Sequence, residues 1–165
     1  MQPDLTVSII SADNKDLLLP CLHSLYDATH NTSLEVWVVD NASTDGSIIA
    51  VEAAFAEVRV IHNETRRGFS TNNNLVLDKG LGRYLMLLND DTLILDSALD
   101  EMVAFMDAHQ EAGAVSCAQT NPDGSWQHAF GRFPNPFIEG VWPSANWSHR
   151  LMRQREEPFE VDWVC

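Results

Sequence analysis

The sequence predicts an α/β fold, a mainly parallel and doubly wound sheet flanked by helices. Two observations carry that expectation. Short apolar runs of strand length alternate with longer segments whose apolar residues recur at helical spacing. Strands linked in this way need crossover connections, and crossovers make parallel sheets with helices on both faces. In addition, three of the apolar runs end in clusters of polar turn formers, where a parallel sheet gathers its loops on one edge.

The elements follow in order. Residues 5–10 are a short apolar run and read as a buried first strand. Residues 15–26 place Leu17, Leu18, Cys21, Leu22 and Leu25 at helical spacing. Residues 34–39 form the second strand, which runs into Asp40. Asn41-Ala42-Ser43-Thr44-Asp45-Gly46-Ser47 is rich in turn and helix-capping residues, and a helix then extends to about Ala56. Residues 58–61 are a third strand, Arg66-Arg67-Gly68-Phe69 a loop, and residues 70–79 a helix stopped by Gly80. Residues 83–88 are a fourth strand leading into Asn89-Asp90-Asp91-Thr92. Asp96 is expected to cap a helix reaching about Gln110, and residues 114–117 to form a fifth strand.

Beyond Gln119 the texture changes. Asn121-Pro122-Asp123-Gly124 predicts a tight hairpin turn. Pro134, Pro136, Pro143 and Pro158 then interrupt regular structure, and Trp126, Trp142, Trp147 and Trp163 fall in the same stretch. Ordinary packing and stacking on sugar rings are both open to these indoles.

Composition narrows the partners. The chain has 165 residues, 45% of them hydrophobic, which suits one domain with a real core. Its formal net charge is -14, from 10 Lys+Arg against 24 Asp+Glu. That excess of negative charge argues against nucleic acid, whose affinity comes from neutralising phosphates. A small anionic ligand is still admissible if a cation or local Arg residues supply positive charge. Cys21, Cys117 and Cys165 fit neither a disulfide framework nor zinc spacing, and read as thiols in a reducing cytoplasm. Met1-Gln2-Pro3-Asp4 lacks the basic and apolar regions of a signal peptide. No apolar run approaches the roughly 20 residues of a membrane span.

The polar clusters after the first, second and fourth strands span residues 11–14, 40–45 and 89–92. The predicted topology brings them to one edge. Two adjacent carboxylates, Asp90 and Asp91, repel unless something compensates. Hard cations such as Mg²⁺ or Mn²⁺ use one or two carboxylates together with substrate phosphates. A turn capping the next helix is the competing explanation, but Asp96 sits better for that role. Asp40 and Asn41 can accept a hydrogen bond from the imide N–H of a nucleobase. Arg66 and Arg67 can neutralise a diphosphate. Asn72, Asn73 and Asn74 are unusual in a helix; one face of it is expected to point at the ligand, and the residues alone do not choose among the three. The six His show no ligand spacing and read as surface or core residues.

These segments together resemble a known family. Val7-Ser8-Ile9-Ile10, the run from Val38 through Asp40-Asn41-Ala42-Ser43-Thr44-Asp45-Gly46-Ser47, Arg67-Gly68-Phe69-Ser70-Thr71-Asn72-Asn73, and Leu87-Leu88-Asn89-Asp90-Asp91-Thr92 occur in its order and spacing. The chain resembles the family 2 glycosyltransferases of the Rossmann-like GT-A fold, and within them the bacterial rhamnosyltransferase-like branch. The resemblance covers roughly residues 5–120. It implies inverting transfer from a nucleotide diphosphate sugar, often dTDP- or UDP-linked and with rhamnose a candidate, to a saccharide or lipid-linked acceptor in cell-surface polysaccharide synthesis. It further implies a divalent cation, Mg²⁺ or Mn²⁺, held by Asp91. Asp40, Asn41, Arg67, Asn72, Asp90 and Asp91 would contact the donor. Asn89 stands where many relatives carry the first Asp of an Asp-x-Asp motif. Residues 11–14, Ser-Ala-Asp-Asn, replace a common Asn-Tyr-Asn, so aromatic stacking on the base is lost there.

On this resemblance, residues 1–120 are the nucleotide-sugar-binding core, and residues 121–165 begin an incomplete acceptor-side region. The catalytic base is expected beyond Cys165. Peripheral contact of the whole protein with the inner face of the membrane follows from a lipid-linked acceptor, and self-association is left open. The rival expectation is a non-catalytic nucleotide-sugar-binding fragment. A dinucleotide-dependent oxidoreductase is disfavoured, because no Gly-x-Gly-x-x-Gly follows the first strand.

Overall fold

Four strands pair in parallel, as the alternating pattern predicts. The computed structural model describes residues 2–127 and the strand residues 130–131 and 163–164. Two compact units divide the chain, Met1–Phe105 and Met106–Cys165. Along the chain come β1 (Leu5–Ser11), α1 (Lys15–Asp27), β2 (Leu34–Asp40), α2 (Ser47–Ala54), β3 (Arg59–His62), α3 (Phe69–Leu77), β4 (Tyr84–Asn89) and α4 (Ala98–Ala108). The sheet order is β3-β2-β1-β4. The register aligns Ser11 with Asp40 and Asp40 with His62, while Asn89 lies opposite Ile10. The ends of all four strands therefore meet within one residue of a common line.

Side-chain alternation splits the core between the two faces. Leu5, Val7 and Ile9 of β1 join Val36 and Val38 of β2 against Leu18, Leu22 and Leu25 of α1, Val51 of α2, and Leu99 and Val103 of α4. The opposite face is smaller, with Trp37 and Val39 packing on Val76 of α3. There β1 presents Thr6 and Ser8, both buried. Each has a dedicated partner, as buried hydroxyls require. Thr6 donates to Glu35 (2.7 Å) and Ser8 to the Asn73 side-chain oxygen (2.8 Å). Asn73 of α3 thus meets a polar position on the strand beneath it.

Glu35 ties the far end of the sheet together. It accepts from Thr6 and from the Leu81 N–H (2.8 Å), and pairs with Arg59 at 2.7 Å. Burial raises its pKa, but the Leu81, Thr6 and Arg59 donors outweigh that and the net shift is downward. Beside it the Gly82 N–H donates to the Thr6 hydroxyl at 2.8 Å.

Two expectations need correction. Residues 114–117 form no strand and carry no regular secondary structure. Only Val115 among them is β-branched, and Ala114 is exposed, so the run lacks a face to bury. Asp96 is not the residue before α4. It lies two positions ahead of Ala98, with φ of +47°, and Ser97 supplies the carbonyl that receives the Glu101 N–H. Gly80 does close α3, its N–H reaching the Val76 carbonyl at 2.7 Å.

In the second unit the predicted hairpin forms. Thr120 and Trp126 make an antiparallel bridge around a turn in which Gly124 has φ of +79°. Asp123 accepts both the Ser125 hydroxyl (2.6 Å) and N–H (2.9 Å), which lowers its pKa, so it is spent on the turn. β5 (Phe130–Gly131) pairs antiparallel with β6 (Trp163–Val164). The stretch around Pro134, Pro136, Pro143 and Pro158, with Trp142 and Trp147, lies outside the described residues. Among the described residues, no helix is long and apolar enough to cross a membrane.

Candidate functional site

The carboxyl edge of the sheet carries four loops, and their side chains fasten to one another. The loop after β1 turns through Asp13 (φ +56°) and the loop after β2 through Ala42 (φ +60°). Non-glycine residues seldom occupy this left-handed region, so compensating contacts are expected. Asp13 supplies them. One carboxylate oxygen accepts the Thr44 N–H at 2.6 Å and the Thr44 hydroxyl at 3.2 Å, and the other receives Arg66. The Asp13 N–H in turn donates to the Ser43 hydroxyl at 3.2 Å. The Thr44 N–H is the main reason the Asp13 carboxyl lies below its ordinary value, with the Thr44 hydroxyl and Arg66 adding to it. Asp45 spans the starts of two helices, accepting from the N–H groups of Lys15 and Ser47, each at 2.9 Å.

Asp40 closes β2 and is only 7% exposed. One oxygen accepts the Ser43 N–H at 2.8 Å, and the other lies 3.4 Å from His62 Nδ1. His62 was read from sequence as an ordinary surface or core residue. It is exposed, but the register sets it opposite Asp40.

Asn41 holds the Arg67 segment. Its Oδ1 accepts the Arg67 N–H at 2.8 Å and its Nδ2 donates to the Arg67 carbonyl at 3.1 Å. Asn72 supports the same segment from inside the protein. It has no exposed surface; its Nδ2 donates to the Arg67 carbonyl at 3.3 Å and its Oδ1 accepts from Asn63 at 2.8 Å. In this arrangement both ends of the Asn72 amide are committed to protein, so its route to a ligand runs through the Arg67 loop. Arg67 itself is exposed.

The loop after β4 presents Asp90, half-buried, and Asp91, exposed. Asn14 Nδ2 donates to Asp90 at 3.0 Å. Beneath, the Cys21 thiol faces the Asn89 carbonyl at 3.7 Å. Burial first, and then the Asp90 charge, push the Cys21 pKa up to about 12, so it stays a protonated donor at neutral pH. Sequence reasoning marked residues 11–14 as a polar cluster but singled out neither Asp13 nor Asn14. Nothing in composition shows that these two reach across 31 and 76 residues to Thr44 and Asp90.

Among the described residues no group of three His, Cys, Asp or Glu side chains is placed to hold a metal ion. What the edge offers is an exposed Asp91 beside a partly committed Asp90. That donor set suits a hard cation that keeps its water and shares phosphate oxygens, and not one caged by protein alone.

Comparison with known proteins identifies the family. The model of "Glycosyl transferase family 2" matches residues 6–161. The chain therefore belongs to the family 2 glycosyltransferases. It is 31% identical over 130 residues to the O-antigen biosynthesis protein RfbC of Myxococcus xanthus, covering 77% of this chain and 10% of that protein. It is 24% identical over 151 residues to an N-acetylglucosaminyl-diphospho-decaprenol L-rhamnosyltransferase of Mycobacterium tuberculosis, covering 79% of this chain and 49% of that one. The chain thus spans at most about half the length of these relatives. Among solved structures it is similar to the mannosyltransferase PcManGT of Pyrobaculum calidifontis, in complex with GDP-Man and Mn²⁺. There the TM-score is 0.64 and the identity 27%, over 74% of this chain and 37% of that one. It also shares its fold with S. aureus TarS 1-349, at a TM-score of 0.59 and 20% identity, over 86% of this chain and 45% of that one. The GT-A expectation and the rhamnosyltransferase-like resemblance both accord with these neighbours.

Proposed function

We propose that this chain is the donor-binding part of an inverting glycosyltransferase that uses a dTDP- or UDP-linked sugar, with rhamnose a candidate, in cell-surface polysaccharide synthesis. The observation that carries the reading is the shared line of strand ends, which sets Asp40, Asn41, Asp90 and Asp91 along one edge of a family 2 fold. In this reading residues 1–120 bind the donor and residues 121–165 begin the acceptor side. Asp40 and Asn41 receive the nucleoside, Arg67 faces the diphosphate, and Asn72 keeps the Arg67 loop in place. Asp91 is the metal ligand, with Asp90 beside it. A bound Mg²⁺ or Mn²⁺ offsets the charge of the diphosphate leaving group. The acceptor is a saccharide or a lipid-linked saccharide.

Calorimetry of UDP and dTDP, with and without Mn²⁺, tests the assignment. Asp91→Ala is expected to abolish the gain in affinity that Mn²⁺ brings, and an undiminished gain in that variant would sink it. A second reading is a binding module without turnover, since every residue assigned above holds the donor or its cation and none takes the acceptor's proton. Sugar transfer or donor hydrolysis by the isolated chain separates the two.

A further inference from the structure

The loop that carries Asp90 and Asp91 is fastened to one face of α1. Asn14, Cys21 and Ser24 stand seven and then three residues apart, which puts them on one side of a helix. Asn14 donates to the Asp90 carboxylate at 3.0 Å, and the Cys21 thiol faces the Asn89 carbonyl at 3.7 Å. The Ser24 hydroxyl accepts the Ile94 N–H at 3.0 Å and donates to the Cys21 carbonyl at 2.8 Å. The segment is thus held at its start, through Asn89 and Asp90, and at its end, through Ile94.

Asn14 is the telling member. It directly precedes α1, where an asparagine side chain ordinarily caps the first turn. Its backbone does open the helix, the carbonyl receiving the N–H groups of Leu17 and Leu18 at 3.1 and 2.9 Å. Its side chain makes no cap. The amide is diverted to Asp90 instead. Giving up a cap costs helix stability, which the diverted bond has to offset. A donor on a carboxylate does so, because hydrogen bonds to charged groups are among the stronger ones.

We propose that Asn14 is a positioning residue of the donor site. Its amide N–H holds one Asp90 carboxylate oxygen to the start of α1. It also fixes the turn so that Asp91 is the one left for the cation. This inference rests on the donor-site reading above.

The test is Asn14→Ser, with Asn14→Asp beside it. Serine is an equally good residue at a helix start, but its side chain is too short to reach Asp90. The melting temperature of Asn14→Ser should stay within about 3 °C of the unaltered chain. UDP and dTDP affinities without metal should also hold. The additional affinity brought by Mn²⁺ should fall about tenfold, the loss of one charge-assisted hydrogen bond. Asn14→Asp, which faces one carboxylate with another, should lose more. A role confined to building α1 would lower the melting temperature and weaken metal-free binding equally, and that result overturns the proposal. So does a full Mn²⁺ gain in Asn14→Ser alongside a lost gain in Asp91→Ala, which leaves the donor-site reading intact. If the unaltered chain shows no Mn²⁺ gain with either nucleotide, the donor-site reading itself falls and takes this inference with it.

Discussion

Gly82 is where a single residue most constrains the fold. A Cβ built there would sit 2.4 Å from the Thr6 backbone nitrogen and 2.7 Å from both the Thr6 hydroxyl and the Tyr84 carbonyl. Two of those three atoms are backbone, so no side-chain rotation relieves the overlap. The strand entry would have to move, and the Gly82–Thr6 hydrogen bond would go with it. Gly82→Ala should therefore destabilise the chain by about 1–3 kcal/mol, in the range of overpacked cores. That corresponds to roughly 2–4 °C in melting temperature per kcal/mol. A urea titration monitored by circular dichroism reads it, and an unchanged midpoint would show that the strand entry is softer than its contacts imply. Sequence marked Gly80 as a helix stop but gave no reason to notice Gly82, because the crowding comes from a residue 76 positions earlier.

At the scale of the element, Glu35 links the starts of three strands. It reaches Thr6 of β1, Arg59 of β3 and the Leu81 N–H ahead of β4, from its own place on β2. Its carboxyl lies below its ordinary value. The stabilisation is therefore complete above the ordinary glutamate pKa of about 4.3, and is lost as pH falls through the lowered folded value. Glu35→Gln removes the charge that the donors favour. The variant should lose about 1–3 kcal/mol at pH 7, as for hydrogen bonds to a charged group. Below the folded pKa its stability should converge on that of the unaltered chain. Parallel stability curves from pH 7 to pH 3 would mean that Glu35 does not gain from its charge. The elements themselves were legible where burial is sustained, on both faces of β2 and along one side of α1. Residues 114–117 were misread because a short apolar run has no periodicity to separate strand from coil. Asn73 of α3 stood out as odd in a helix, and its partner Ser8 was visible too. The pairing of the two needed the register.

At the scale of the molecule, every residue assigned to the donor site lies within the first compact unit, Met1–Phe105. So do both core clusters, whose last buried member is Val103. The four parallel strands, the helices on both faces and the polar edge are all made by chain that precedes the end of α4 at Ala108. A piece comprising residues 1–108 should then fold cooperatively and bind UDP or dTDP with Mn²⁺ within about threefold of the whole chain, a difference below 1 kcal/mol. It carries one liability. β4 is an edge strand of the described sheet, and Leu85 and Leu87 on it are exposed, as are Leu77 and Leu81 nearby in sequence. Unpaired edges and apolar patches of this kind promote association. The measurement therefore belongs at low micromolar concentration, with sedimentation confirming a monomer. A monomeric piece that unfolds without a cooperative transition would show that the first unit does not stand alone. A cooperative piece that has lost its nucleotide would move the donor site out of the strand-end line, which makes this truncation a test of the site's location as well as of the unit's independence.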